Sequence, residues 1–171
     1  MPTAQTLTFE IASRLEAPAD SVWAVVSTMA GVNDELGPWL RMTHPPAISS
    51  LDAGLPLGQR LFRSYLLLFG IVPVEVDDLV LTEVVPGRGF REASTMLTMR
   101  YWGHERSLAP VDLGAPAATG SASLSEACVL RDRLTFEPRL RFFAALARPI
   151  VAWLFRHRHK RLRARFGGRP V

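Results

Sequence analysis

The C-terminal stretch of this chain limits its architecture more than any other. From Arg139 to Phe166 the pattern is helical. Phe142, Leu146, Ile150, Trp153 or Leu154, and Leu162 recur on roughly one stripe, and the arginines take the other side. A helix of about 27 residues is ~40 Å long at 1.5 Å per residue. Pro138 marks its start and Gly167-Gly168 its stop. Pro149 is expected to kink or restart it, because proline removes a backbone donor. An apolar stripe of that length has to be buried against something equally long.

What precedes the helix is mostly strand. Thr6 to Glu16 alternates, with Leu7, Phe9 and Ile11 on one face. Ala17-Pro18 ends that strand, and a helix opens at Ala19 or Asp20 with Val22, Val25, Val26 and Met29 at helical spacing. A second helical turn is predicted over Val32 to Leu36, stopped by Gly37-Pro38. Residues 42–58, rich in proline, glycine and small polar side chains, read as loop with a short edge strand near Ala47 to Ser50. Strands are then predicted at Gln59 to Phe69, Val74 to Val85, Phe90 to Met99, Arg100 to Pro110 and Ser123 to Glu137. Residues 111–122 are expected to form a mobile connection. A run of antiparallel strands can cover one long helix only by curving around it.

At 171 residues and 48% hydrophobic content the chain fits a single domain spanning 1–171 with a real core. The net charge of +4 conceals a division. Seven basic residues and no acids lie beyond Phe155, while the first 155 residues carry 13 basic against 16 acidic side chains. The apolar stretches fall short of the roughly 20 residues that span a bilayer. Met1 to Ala12 lacks a signal-peptide pattern and Cys128 is alone, so a cytoplasmic location is expected.

Candidate chemistry sits on the middle strands. Alternation groups Trp102, His104, Arg106 and Leu108 on one face, and Leu130, Asp132 and Leu134 on one face of the last strand. If both faces point inward, His104 and Asp132 meet. A histidine beside a carboxylate serves as a general acid/base near neutral pH, anchors a polar head group, or forms a purely structural pair. Glu92 on the neighbouring strand is the third candidate for such a role. Leu61, Arg63, Tyr65, Leu67 and Phe69 share one face of an early strand whose other face is also apolar. That pattern suits core on one side and a cavity rim or a homodimer contact on the other. Among the aromatic residues Trp39, in GPWL after a helix end, is placed at a pocket mouth. The basic residues Arg156 to Arg165 favour a helix C-terminus, and they also suit contact with an anionic membrane. No nucleic-acid module is recognisable, so nucleic acid is not an expected partner. His157 and His159 lie two apart and diverge on a helix, His44 and His104 lack neighbouring ligand spacing, and there is no P-loop, GxGxxG or nucleophile elbow. No metal and no cofactor are therefore expected.

The element order, the segment EAPADSVWAVVS (Glu16 to Ser27), the GPWL segment (Gly37 to Leu40) and a terminal helix ending FRHRHKRLRARF (Phe155 to Phe166) resemble the SRPBCC or START-like superfamily. This is the helix-grip fold of Bet v 1-type proteins and polyketide cyclases. The resemblance implies an α+β fold, with a curved antiparallel sheet wrapped around the C-terminal helix and a cavity for a small hydrophobic ligand such as a lipid, quinone or polyketide-like compound. Trp39, Arg63, Tyr65, Glu92, Trp102, His104, Arg106, Phe143, Leu146 and Ile150 are the candidate ligand contacts. A cyclase- or dehydratase-type enzyme using His104 with Asp132 or Glu92 is the alternative. A docking module acting through the basic helix end is a third.

Overall fold

The computed structural model describes residues 5–51, 54–111 and 127–171. A first strand β1 (Leu7–Leu15) leads into two short helices, α1 (Ala19–Val26) and α2 (Met29–Leu36). The strands β2 (Leu40–Met42), β3 (Arg60–Leu68), β4 (Val72–Val85), β5 (Gly89–Met96), β6 (Met99–Pro110) and β7 (Cys128–Pro138) follow. The long helix α3 (Arg141–Phe166) and a short strand β8 (Gly168–Pro170) complete the order. All strands join one antiparallel sheet in the order β2-β3-β4-β5-β6-β7-β1-β8. Hairpins link the neighbours from β3 to β6, and β1 closes onto β7 with Ile11 opposite Asp132. This is the α+β helix-grip arrangement, with the sheet folded around α3.

Local chemistry explains most of the element ends. Thr28 caps α2 by accepting a hydrogen bond from the Gly31 amide at 3.0 Å, so the helix begins at Met29 and is longer than Val32 to Leu36. The short edge strand lies at Leu40–Met42 rather than near Ala47 to Ser50. The Asn33 side-chain amide holds Met42 there at both its N–H (2.7 Å) and its carbonyl (3.0 Å), whereas Ser50 pairs with Thr28 as an isolated bridge outside the strands. Strand β7 starts at Cys128, and Ser123 to Glu126 lie outside the described residues, as does most of the 111–122 connection. Helix α3 continues through Pro149. Gly167 stops it with a φ of 74°, and β8 then pairs with β1.

The phase of α3 differs from the sequence expectation. Its buried face carries Ala144, Ala147, Val151, Ala152, Phe155, Arg158, His159 and Leu162. Phe142, Leu146, Ile150 and Trp153 are the exposed stripe. Small alanines let the helix backbone approach the sheet, and the charged residues on the inner face are neutralised by partners from α2 and β7. Two of the hydrophobic clusters include residues of α3. One gathers Leu15, Val22, Trp23, Leu81, Leu130 and Leu162 beneath α1. The other gathers Met96, Leu134, Phe136, Val151 and Phe155 under the first half of α3.

Candidate functional site

Between those clusters lies a layer of buried charge. Register places Arg106 of β6 opposite Asp132 of β7, and Glu92 of β5 opposite His104 of β6. Arg106 is 1% exposed and makes paired hydrogen bonds to two carboxylates. Its Nη1 and Nη2 donate to Glu35 at 2.8 Å each, and its Nε and Nη2 donate to Asp132 at 2.8 Å each. Arg158 of α3 donates to the same Glu35 at 2.9 Å. Asp132 also accepts from His104 Nε2 at 2.9 Å and His159 Nε2 at 3.0 Å. Four donors saturate this carboxylate. Burial pushes Asp132 up, but the charge and hydrogen bonds of Arg106, with those of His104, outweigh it and hold it well below the usual carboxylate range. Burial also raises Glu35, and Arg106 and Arg158 bring it below its ordinary value. Asp132 is thus an anion that orients its neighbours.

An anionic Asp132 only accepts, so both histidine Nε2 atoms donate to it and the network assigns their tautomers. Arg163 donates to Ser13 Oγ at 2.7 Å, which leaves the Ser13 hydroxyl to donate to His159 Nδ1 at 2.8 Å. His104 Nδ1 has a different outlook. It faces Glu92 Oε2 across 3.8 Å, too far for a hydrogen bond. Phe90 and Phe155 clamp the ring edge-on at 5.1 and 5.2 Å.

That nitrogen opens on a cavity of about 90 Å³ between α3, α2 and the inner face of β3 to β6. Met29, Leu36, Leu66, Leu79, Met96 and Trp102 are among its apolar walls. Asp77, Glu92, His104 and Arg158 form its polar end. Ser94 Oγ donates to Glu92 Oε1 at 2.6 Å and accepts from the Val80 amide at 3.0 Å. Asp77, beside Ser94 and 3% exposed, has an Oδ1 with no hydrogen-bond partner. Burial, then the charges of Glu92, Glu75 and Asp78, push its carboxyl well above the ordinary value.

Glu92, Trp102 and His104 therefore line the cavity, with Asp132 directly behind His104. Arg106 lies below it, with four N–H···O bonds already made. Arg63 and Tyr65 are on the outer face, because Phe62 and Ser64 take the inner one. Arg63 pairs there with Asp78 at 2.8 Å. Trp39 is 38% exposed and packs between Phe69 and Trp153, at 5.9 and 5.5 Å, outside the cavity wall. Leu146 and Ile150 are on the exposed side of α3, and Phe143 is half-buried against Phe142. Sequence reading missed Glu35, Asp77, Arg158 and His159 as members of the site. Alternation through Asp77, Leu79 and Leu81 marks Asp77 as inward, but nothing local marks Arg158 or Glu35 as buried. Among the described residues no group of three or more His, Cys, Asp or Glu is placed to hold a metal ion.

Solved structures share this arrangement at low sequence identity. Protein CV1439 from Chromobacterium violaceum superposes with a TM-score of 0.65 at 16% identity, covering 93% of this chain and 96% of that one. A START superfamily protein from Mycobacterium smegmatis gives 0.61 at 12%, covering 93% and 96%. Norcoclaurine synthase from Thalictrum flavum gives 0.53 at 13%, covering 94% and 95%. No curated protein sequence matches the chain. The fold is thus that of the START-like and Bet v 1-like proteins, and the match of a family model over residues 13–166 shows that the chain belongs to DUF8410, a domain family of unknown function.

Proposed function

We propose that the protein binds a small, mainly apolar molecule in the cavity between sheet and α3, with Asp77, Glu92 and His104 orienting its polar group. The observation that carries this reading is an apolar cavity closed at one end by a buried polar cluster with an unpartnered oxygen. Apolar walls give affinity and a few polar groups give orientation. A volume of about 90 Å³ holds a head group and a few carbons, so a lipid, quinone or polyketide-like ligand requires α2 or α3 to move outward. Native mass spectrometry of protein purified from cells, followed by extraction, tests this directly. A stoichiometric apolar ligand is expected, and Leu66→Trp should exclude it. A protein that is always empty and gains no thermal stability from a lipid and quinone panel would remove the reading.

His104 favours an enzymatic alternative. It is oriented by an anionic carboxylate and presents Nδ1 to the cavity, next to Glu92, which is the placement a general base needs. Norcoclaurine synthase shows that the fold hosts an enzyme. A substrate-dependent rate lost in His104→Ala with the fold intact would select it.

A third reading is membrane docking, in which the basic helix end is joined by an exposed apolar patch on α3. Arg158 is committed to Glu35, Arg161 and Arg165 to Asp34, and Arg163 to Ser13. The exposed patch runs from Phe142 through Leu146, Ile150 and Trp153 to Trp39 and Phe69, with Arg156 and Lys160 exposed at one end of the helix stripe. Ile150→Glu should abolish co-sedimentation with anionic vesicles. If it instead turns a dimer into a monomer, the patch is a homodimer contact. A cytoplasmic location suits Cys128, whose thiol is buried and pushed up to about 11.

A further inference from the structure

The charges around the cavity do not balance at its polar end. Arg106 and Arg158 are matched by Glu35 and Asp132, two cations against two anions, all buried. Asp77 and Glu92 are left over, with no arginine or lysine bound to either among the described residues. When ionised, both offer only acceptors. Asp77 Oδ1 has no partner, Glu92 Oε2 is 3.8 Å from His104 Nδ1, and the other ring nitrogen of His104, Nε2, is taken up by Asp132. With both acids ionised these atoms are acceptors lining one apolar cavity, and an ammonium group has up to three donors and the missing charge.

We propose that the polar end of this cavity receives the protonated amine of a small apolar molecule, held by Asp77 and Glu92 with His104 Nδ1 as the third acceptor. This deepens the ligand-binding reading of the same cavity and rests on it. In the empty protein burial and the nearby acids Glu92, Glu75 and Asp78 push the Asp77 carboxyl well above its ordinary range. His104 and Arg158 are the other titratable or charged groups at that end, and Arg158 is held by Glu35. An arriving cation favours the ionised carboxylate, so binding releases protons over the pH range in which Asp77 is still protonated, and affinity rises with pH through that range.

The test compares butylamine, hexylamine and octylamine with the alcohols of the same chain length, by calorimetry in two buffers of different ionisation enthalpy. Each amine is expected to bind at least tenfold more tightly than its alcohol, with proton release. Asp77→Asn and, separately, Glu92→Gln should remove that preference while leaving alcohol binding in place. Alcohols binding as well as amines, or a preference that survives both substitutions, would overturn the amine assignment and leave the apolar cavity standing. If no probe of either series binds, the cavity reading itself fails, and this assignment with it.

Discussion

Arg106 is the residue whose replacement should cost most. It is the shared partner of Glu35 and Asp132, and removing it leaves one buried carboxylate with Arg158 alone and the other with two histidines. Arg106→Met should lower stability by about 3–5 kcal/mol, measured by urea denaturation. Gly89 guards the same spot from the backbone side. Its φ is 148°, and a Cβ there would stand 2.0 Å from the Arg106 carbonyl oxygen, so Gly89→Ala has to part β5 from β6. Asp77→Asn should have the opposite sign. The folded chain holds the Asp77 carboxyl above its ordinary 3.8, so at lower pH both states are protonated and the group is neutral in effect. As pH rises past that value the unfolded chain ionises first and stability drains away. The variant should therefore be more stable than the parent at neutral pH, by a margin that grows upward from about pH 4. A margin that shrinks with pH would show that Asp77 is ionised in the fold.

At the scale of the element, α3 shows both what a sequence discloses and what it hides. Period-two alternation placed Trp102, His104, Arg106 and Leu108 on one face and Leu130, Asp132 and Leu134 on another, and these are the inner faces of β6 and β7. It worked because apolar residues bracket the polar ones along each strand. On α3 the same logic chose the large apolar residues and missed the inner face, where alanines and an Arg158–His159 pair sit. Charge is excluded from a core only when unpaired, and the partners, Glu35 and Asp132, lie 123 and 27 positions away. No local pattern records such distances. Two phenylalanines of this helix make the point measurable. Phe142 is 70% exposed and Phe155 1% exposed. Phe142→Ala should change stability by less than about 0.5 kcal/mol, and Phe155→Ala should cost about 3–5 kcal/mol.

For the whole molecule, the buried anions set the acid limit. Glu35 and Asp132 have folded values below their ordinary 4.5 and 3.8, so the stability they contribute is complete above those values and is lost as pH falls through the folded ones. Thermal midpoints should hold from neutrality to about pH 5 and then fall steeply, a slope that the Asp77 contribution, running the other way, only partly offsets. A midpoint that stays flat to pH 3 would mean these carboxylates are not ionised in the core. No helix among the described residues is long and apolar enough to cross a membrane.

The charge layer joins β6, β7 and α2 to the far half of α3, and that has a consequence for how the chain is made. A ribosome delivers Glu35, Arg106 and Asp132 well before Arg158 and His159, so a sheet assembled during synthesis holds charges whose last partners do not yet exist. Water has to serve those groups in the meantime, which keeps the half-built protein swollen along the groove where the helix will lie. Docking of α3 then expels that water and closes the cavity in one late step dominated by long-range contacts, and such contacts make folding slow.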